Sequence, residues 1–156
     1  MLASLKSLSS IASLKKVMLV LLFPLAVFSG CKVQLVPVYS AELENQILQG
    51  AKMTDMLYLE MTDAPADKRS YDLYAEKYRA IEAEINSILL KNETRAKAED
   101  MVASVKQLRD GFVNARNEHK AKTTLTNPEL ILLRETFKAY WKPVLIQEHV
   151  LASLEK

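Results

Sequence analysis

Cysteine is almost missing from this 156-residue chain, which has Cys31 alone, and histidine is nearly as scarce, with only His119 and His149. A single thiol excludes an internal disulfide framework, and two histidines without a second cysteine exclude a His-rich or mixed zinc site. Glycine and proline are few, 3 and 5 residues, which is too little for the frequent tight turns of a sandwich or barrel. No Gly-rich phosphate loop, no Ser-His-Asp order and no Cys-x-x-Cys-His haem motif occurs. The sequence is rich instead in Ala, Leu, Glu and Lys, the residues that lose least on entering a helix.

Near the N-terminus stands the apolar run Val17 to Phe28, VMLVLLFPLAVF, preceded by Lys15 and Lys16 and followed by Ser29 and Gly30. The run is about half of the roughly 20 residues needed to span a bilayer as a helix, and it contains Pro24, so it reads as the core of an export signal rather than a permanent anchor.

The sequence Phe28-Ser29-Gly30-Cys31 resembles the lipobox of bacterial lipoproteins, with Phe28 where that class prefers an aliphatic residue. The resemblance implies that Cys31 is alkylated with diacylglycerol and that a dedicated peptidase cuts between Gly30 and Cys31. It implies residues 1–30 as a cleaved signal peptide, 31–39 as the lipidated cysteine with a short tether, and 40–156 as the body. It also accounts for the lone cysteine, which would otherwise be an odd thiol in an oxidising compartment. Lys32, second in the mature chain, points by the sorting rule of the class to the outer membrane, facing the periplasm.

Loss of Lys6, Lys15 and Lys16 with the signal leaves 18 of the 21 basic residues against 19 acidic ones, a net charge near −1. Without a basic excess there is no electrostatic footprint for nucleic acid. The tether KVQLVPVY, eight residues, reaches at most about 28 Å, so the body stays near the membrane. Its apolar character and Pro37 suit a segment that lies along the body.

From Ser40 onward the apolar residues recur at steps of three and four. Ser40 caps a first helix with the stripe Leu43, Ile47, Ala51, Thr54, Leu57, Tyr58 and Met61, which ends at Pro65. Tyr71, Tyr74, Tyr78, Ile81, Ile85 and Ile88 mark a second, and Ala98, Met101, Val105, Leu108, Phe112, Ala115 and His119 a third, softened at Gly111. Asn127, Pro128 and Glu129 start a fourth, with Leu130, Leu133, Phe137, Tyr140, Val144, Leu151 and Leu154 on its apolar side and Pro143 expected to kink or split it. Short links between helices predict an all-α fold, an antiparallel up-down four-helix bundle with a Pro-broken last helix.

Reactive constellations are lacking. The Glu-x-x-His motif of di-iron bundles is absent, since Arg116 and Ile146 stand three residues before the histidines. A haem between His149 and Met53 or Met56 fails on height, because Met53 falls about 9 Å beyond the level of His149 in an antiparallel pair. No cofactor, no metal and no catalysis are therefore expected. The expected function is a non-enzymatic interaction or structural module of the cell envelope, held to a membrane through Cys31 and meeting a protein partner or a second copy of itself. The alternative is a small-ligand carrier with an apolar cavity lined by Tyr71, Tyr74, Tyr78, Phe137, Tyr140 and Trp141, where aromatics gather beside the proline.

Overall fold

The structure, a computed structural model, describes residues 34–154 apart from residue 123. Gly30 and Cys31, with the apolar run before them, lie outside the described residues. Four long helices make up the body: α1 (Ala41–Asp63), α2 (Tyr71–Glu93), α3 (Glu99–Ala121) and α4 (Asn127–Leu154), with a single 3-10 turn, Ala66–Lys68, between α1 and α2. Each helix packs on its neighbour in sequence, and α1 packs on α4 to close the ring. The links are five to seven residues long, too short for anything but antiparallel neighbours. Cross-contacts give the same direction, since Ser40 meets Glu148 while Asp55, farther up α1, meets Arg134. The molecule is an antiparallel up-down four-helix bundle.

Local chemistry fixes the helix starts. Ser40 Oγ accepts from the Leu43 N–H at 3.2 Å, and Glu42 and Glu44 occupy the first turn of α1, where the helix dipole favours negative charge. At α4 the cap falls one residue before the expected Asn127. There Thr126 donates both its backbone N–H and its hydroxyl to Glu129 Oε2, each at 2.8 Å. The Lys122 ammonium at 2.5 Å, together with those two donors, holds the Glu129 carboxyl down to about 2.

The core follows the apolar stripes, with instructive shifts. In α1 the buried positions are Leu43, Ile47, Gly50, Thr54, Leu57, Tyr58 and Met61, so Gly50 and not Ala51 sits innermost. In α3 the buried series Met101, Val105, Leu108, Phe112, Ala115 and His119 is the one expected. In α4 the inner series runs Leu130, Phe137, Trp141, Val144, Glu148 and Leu151. Trp141 thus takes the inner place expected for Tyr140, which is half-buried, and Leu154 is 64 % exposed. The series 141, 144, 148, 151 is itself a 3-4-3 pattern, hidden in the sequence because its third member is a glutamate.

Helix α4 runs unbroken through Pro143, so the expected split does not occur. Pro143 lies on the exposed side while Trp141 and Val144, on either side of it, are buried. That anchoring on both sides keeps the helix going although the ring removes one hydrogen bond. Gly111, the expected soft point of α3, is a seat: a Cβ there would lie 2.8 Å from the ring of Tyr140. Among the described residues no helix is long and apolar enough to cross a membrane.

Candidate functional site

Polar groups inside this bundle concentrate at its two ends, and each end must be accounted for because a buried, unpaired polar group costs about 1–3 kcal/mol. At the end where α1 begins and α4 finishes, Glu148 is 0 % exposed. Arg95, in the link between α2 and α3, reaches it with Nη1 on Oε2 at 2.8 Å and Nη2 on Oε1 at 3.1 Å. The Ser40 backbone N–H donates to Oε1 at 2.7 Å. Arg95 Nη2 also donates to the Val38 carbonyl at 2.5 Å, and Nη1 to Asn92 Oδ1 at 2.9 Å. Asn92, itself buried, donates back to the Ile88 carbonyl. The link that positions Arg95 contains the one left-handed non-glycine among the described residues, Lys97, with φ 64°.

This cluster ties three separate segments together: the chain before α1, the α2–α3 link and the last turns of α4. Its chemistry is that of a clasp. Both carboxylate oxygens of Glu148 accept charge-assisted or backbone hydrogen bonds, and the burial leaves no oxygen open to a substrate. Neither Arg95 nor Glu148 was singled out by the sequence reading. The signal was available, since Glu148 falls on the inner phase between Val144 and Leu151.

At the opposite end Arg69 is the tie. It donates to the carbonyls of Ala64 and Thr62 and, at 2.5 Å, to Asn127 Oδ1, so it closes the ends of α1 and the start of α4. Its own carbonyl accepts from His119 Nε2 at 2.7 Å. A carbonyl only accepts, so Nε2 carries the proton and Nδ1 accepts from the Tyr78 hydroxyl at 3.0 Å. Burial lowers the pKa of His119, against the opposing pull of the Arg69 carbonyl. Burial likewise pushes the Tyr58 and Tyr78 hydroxyls upward. The Tyr58 hydroxyl makes no well-formed hydrogen bond, although it stands within electrostatic reach of Tyr78.

The six aromatic positions of the carrier reading divide between two faces. Tyr71 stacks on Tyr78, Tyr78 meets Phe112, Phe112 meets Phe137, and Phe137 meets Tyr140, all at centroid distances of 5.5–5.9 Å. Trp141 turns instead toward α1, donating from Nε1 to Thr54 Oγ1 at 3.1 Å, and Tyr74 lies beneath Lys77. Phe112, on the inner stripe of α3, links Tyr78 of α2 to Phe137 of α4.

Two surface grooves are lined by other side chains. One, of about 280 Å³, runs between α1 and α2 along Met53, Met56, Leu57, Ala80 and Ile81, with the Glu60–Lys77 ion pair at its rim. The other, of about 330 Å³, lies at the clasp end, where Leu35, Val36 and Pro37 face Met101, Ile146 and Val150, with Lys97 and Asp100 beside them. His149, at the same end, is exposed and contacts Glu44. Among the described residues no three His, Cys, Asp or Glu side chains gather where they would hold a metal ion.

No protein-family model matches the chain, and neither a curated protein nor a solved structure is significantly similar to it.

Proposed function

We propose that this protein is a lipid-anchored helical bundle of the bacterial envelope, attached through Cys31 and acting as a non-enzymatic interaction module. The observation that carries the reading is the clasp. By holding Val38 and Ser40 against the bundle, Arg95 and Glu148 fix the chain to the body seven residues after Cys31 in the sequence. Such a fixture stabilises the bundle and, in an anchored protein, also keeps the body close to the attachment point. Two or three acyl chains, at about 0.8 kcal/mol per buried methylene, make that attachment effectively permanent. Lys32 favours the outer membrane, facing the periplasm.

The interaction half of the reading is supported by the α1–α2 groove. It is apolar, charged at the rim and supplied with two methionines, whose flexible thioethers adapt to a partner's surface. Apart from the Tyr58 hydroxyl, the polar clusters at both ends are internally satisfied, and they expose no nucleophile paired with a base.

Palmitate labelling with Cys31→Ser tests the anchor. The variant is expected to lose the label and to migrate as a larger, unprocessed species, and unchanged migration with unchanged membrane association would defeat the reading. Photo-crosslinking from position 56 in intact cells tests the partner. A discrete crosslinked protein, or a crosslinked dimer of this chain, is expected; a bound small molecule in place of any protein would favour the carrier.

A further inference from the structure

Large exposed apolar side chains occur at both ends of the bundle, Leu59, Leu73, Ile131 and Leu132 among them toward the far end, but those of the clasp end come from two segments that meet across one groove. Leu35, Val36, Val38, Ile146, Val150 and Leu154 all belong to the clasp end and range from 45 to 78 % exposed. Ile146, Val150 and Leu154 follow one another at steps of four, a continuous ridge about 12 Å long on one edge of α4. Leu35 and Val36 lie across the groove from the first two of these. Isolated surface hydrophobes need no explanation, but a contiguous patch built from two distant segments does.

We infer that this patch is seated in the interfacial layer of the bilayer to which the protein is anchored, so that the bundle rests on the lipid along its α4 edge instead of swinging from a tether. The inference deepens the proposed function and rests on acylation of Cys31. Three observations select a lipid surface as the occupant. Leu35 follows Cys31 by four residues, which span at most about 14 Å, so an acylated Cys31 brings the patch to the depth of the headgroups. The clasp holds the backbone of Val38 against Arg95, which fixes the orientation of the preceding apolar residues relative to α4. Finally, the groove is lined mainly by apolar side chains that favour the acyl boundary, with one exposed cation, Lys97, and one exposed anion, Asp100, at its edge to meet the charged groups of zwitterionic lipid.

The test uses the full chain, processed in its own membrane and reconstituted in phosphatidylethanolamine–phosphatidylglycerol vesicles. With Cys31 acylated, a cysteine introduced by Val150→Cys or, at the far end, Leu132→Cys is the single free thiol, and each is labelled with an environment-sensitive fluorophore. The label at 150 is expected to shift to the blue and to be quenched by lipid-borne quenchers severalfold more than the label at 132. Adding Ile146→Asp to the Val150→Cys variant should abolish that difference without changing the helical circular dichroism, since both side chains are exposed. Equal, weak quenching at the two positions in vesicle-bound protein would overturn the inference while leaving the anchor intact. A blue shift at 150 that persists in detergent, together with a doubled mass, would assign the patch to a second copy and overturn it too. If the wild-type chain carries no acyl group, the anchor reading fails first and the seating falls with it.

Discussion

Among the described residues Glu148 is the only acidic one that is buried, and Arg95 meets it from a loop rather than from a facing helix, with two contacts of 2.8 and 3.1 Å. A loop arginine that ends on a buried carboxylate converts a flexible link into a fixed one. The same carboxylate holds the N–H of Ser40, the residue that caps α1, so the pair joins three segments that share no helix.

Removing one partner leaves an uncompensated charge inside the protein, so Arg95→Ala and Glu148→Ala are each expected to cost about 3–5 kcal/mol in denaturant unfolding. The double variant Arg95→Met with Glu148→Leu should lose clearly less than the two single losses combined, because both charges go together. Strict additivity would show that the two side chains act independently. Amide exchange supplies a second readout: protection at Ser40 should fall in either single variant, while protection at the far end of α1 holds.

The fold was legible because its main signal is periodic. The 3-4 stripes located all four helices, and the cap at Ser40 and the start signal at Asn127 placed the beginnings of α1 and α4 to within one residue. What stayed hidden was polar or small. Glu148, Asn92 and Gly50 occupy inner positions that a hydrophobic pattern passes over, since a buried glutamate is recognisable only once its distant partner is known. Arg95 lies 53 residues away from Glu148 and carries no local mark. The choice between Tyr140 and Trp141 as the inner aromatic rested on one step of helical phase, and a glycine on another helix settled it.

That glycine yields the second expectation. At Gly50 a Cβ would lie 2.5 Å from Cη2 of Trp141, a ring that is 4 % exposed and held by its hydrogen bond to Thr54. Gly50→Ala should therefore destabilise by about 1–3 kcal/mol through overpacking, which outweighs the roughly 1 kcal/mol gained in helix propensity. Gly111→Ala meets the edge of Tyr140, a half-buried ring with room to move outward. Its two effects nearly cancel, and a melting temperature close to wild type is expected. Equal losses at both glycines would contradict this account.

His119 predicts a pH dependence. Its pKa in the folded protein lies below the ordinary histidine value, chiefly because of burial, so the unfolded chain binds more protons as the pH falls through about 6.5. Stability is then complete above that value and declines below it toward the lowered folded pKa. The carboxylates with depressed values, Asp55 and Glu129 among them, lose their contributions only at lower pH. Urea midpoints measured between pH 7 and 5 should fall in the wild type and stay flatter in His119→Gln, whose side-chain amide can still donate to the Arg69 carbonyl.

Pro143 is placed against the local rules of an α-helix. It lies inside α4, has no N–H to offer the Ala139 carbonyl one turn back, and points to solvent, so the core gains nothing from its ring. A helix that ran on only because of proline-specific packing would weaken when the ring is removed. Here the buried neighbours Trp141 and Val144 hold the helix by themselves. Pro143→Ala restores the missing donor and removes the clash with the preceding turn. Against this stands the unfolded-state restriction that proline provides, worth about 0.4–1 kcal/mol, compared with a penalty of about 3 kcal/mol for proline in a helix interior. The balance favours the alanine variant by about 2–2.6 kcal/mol, read as a higher urea midpoint with an unchanged slope. A lower midpoint would mean that the bundle requires the bend that the ring imposes, and that α4 is shaped by Pro143 instead of surviving it.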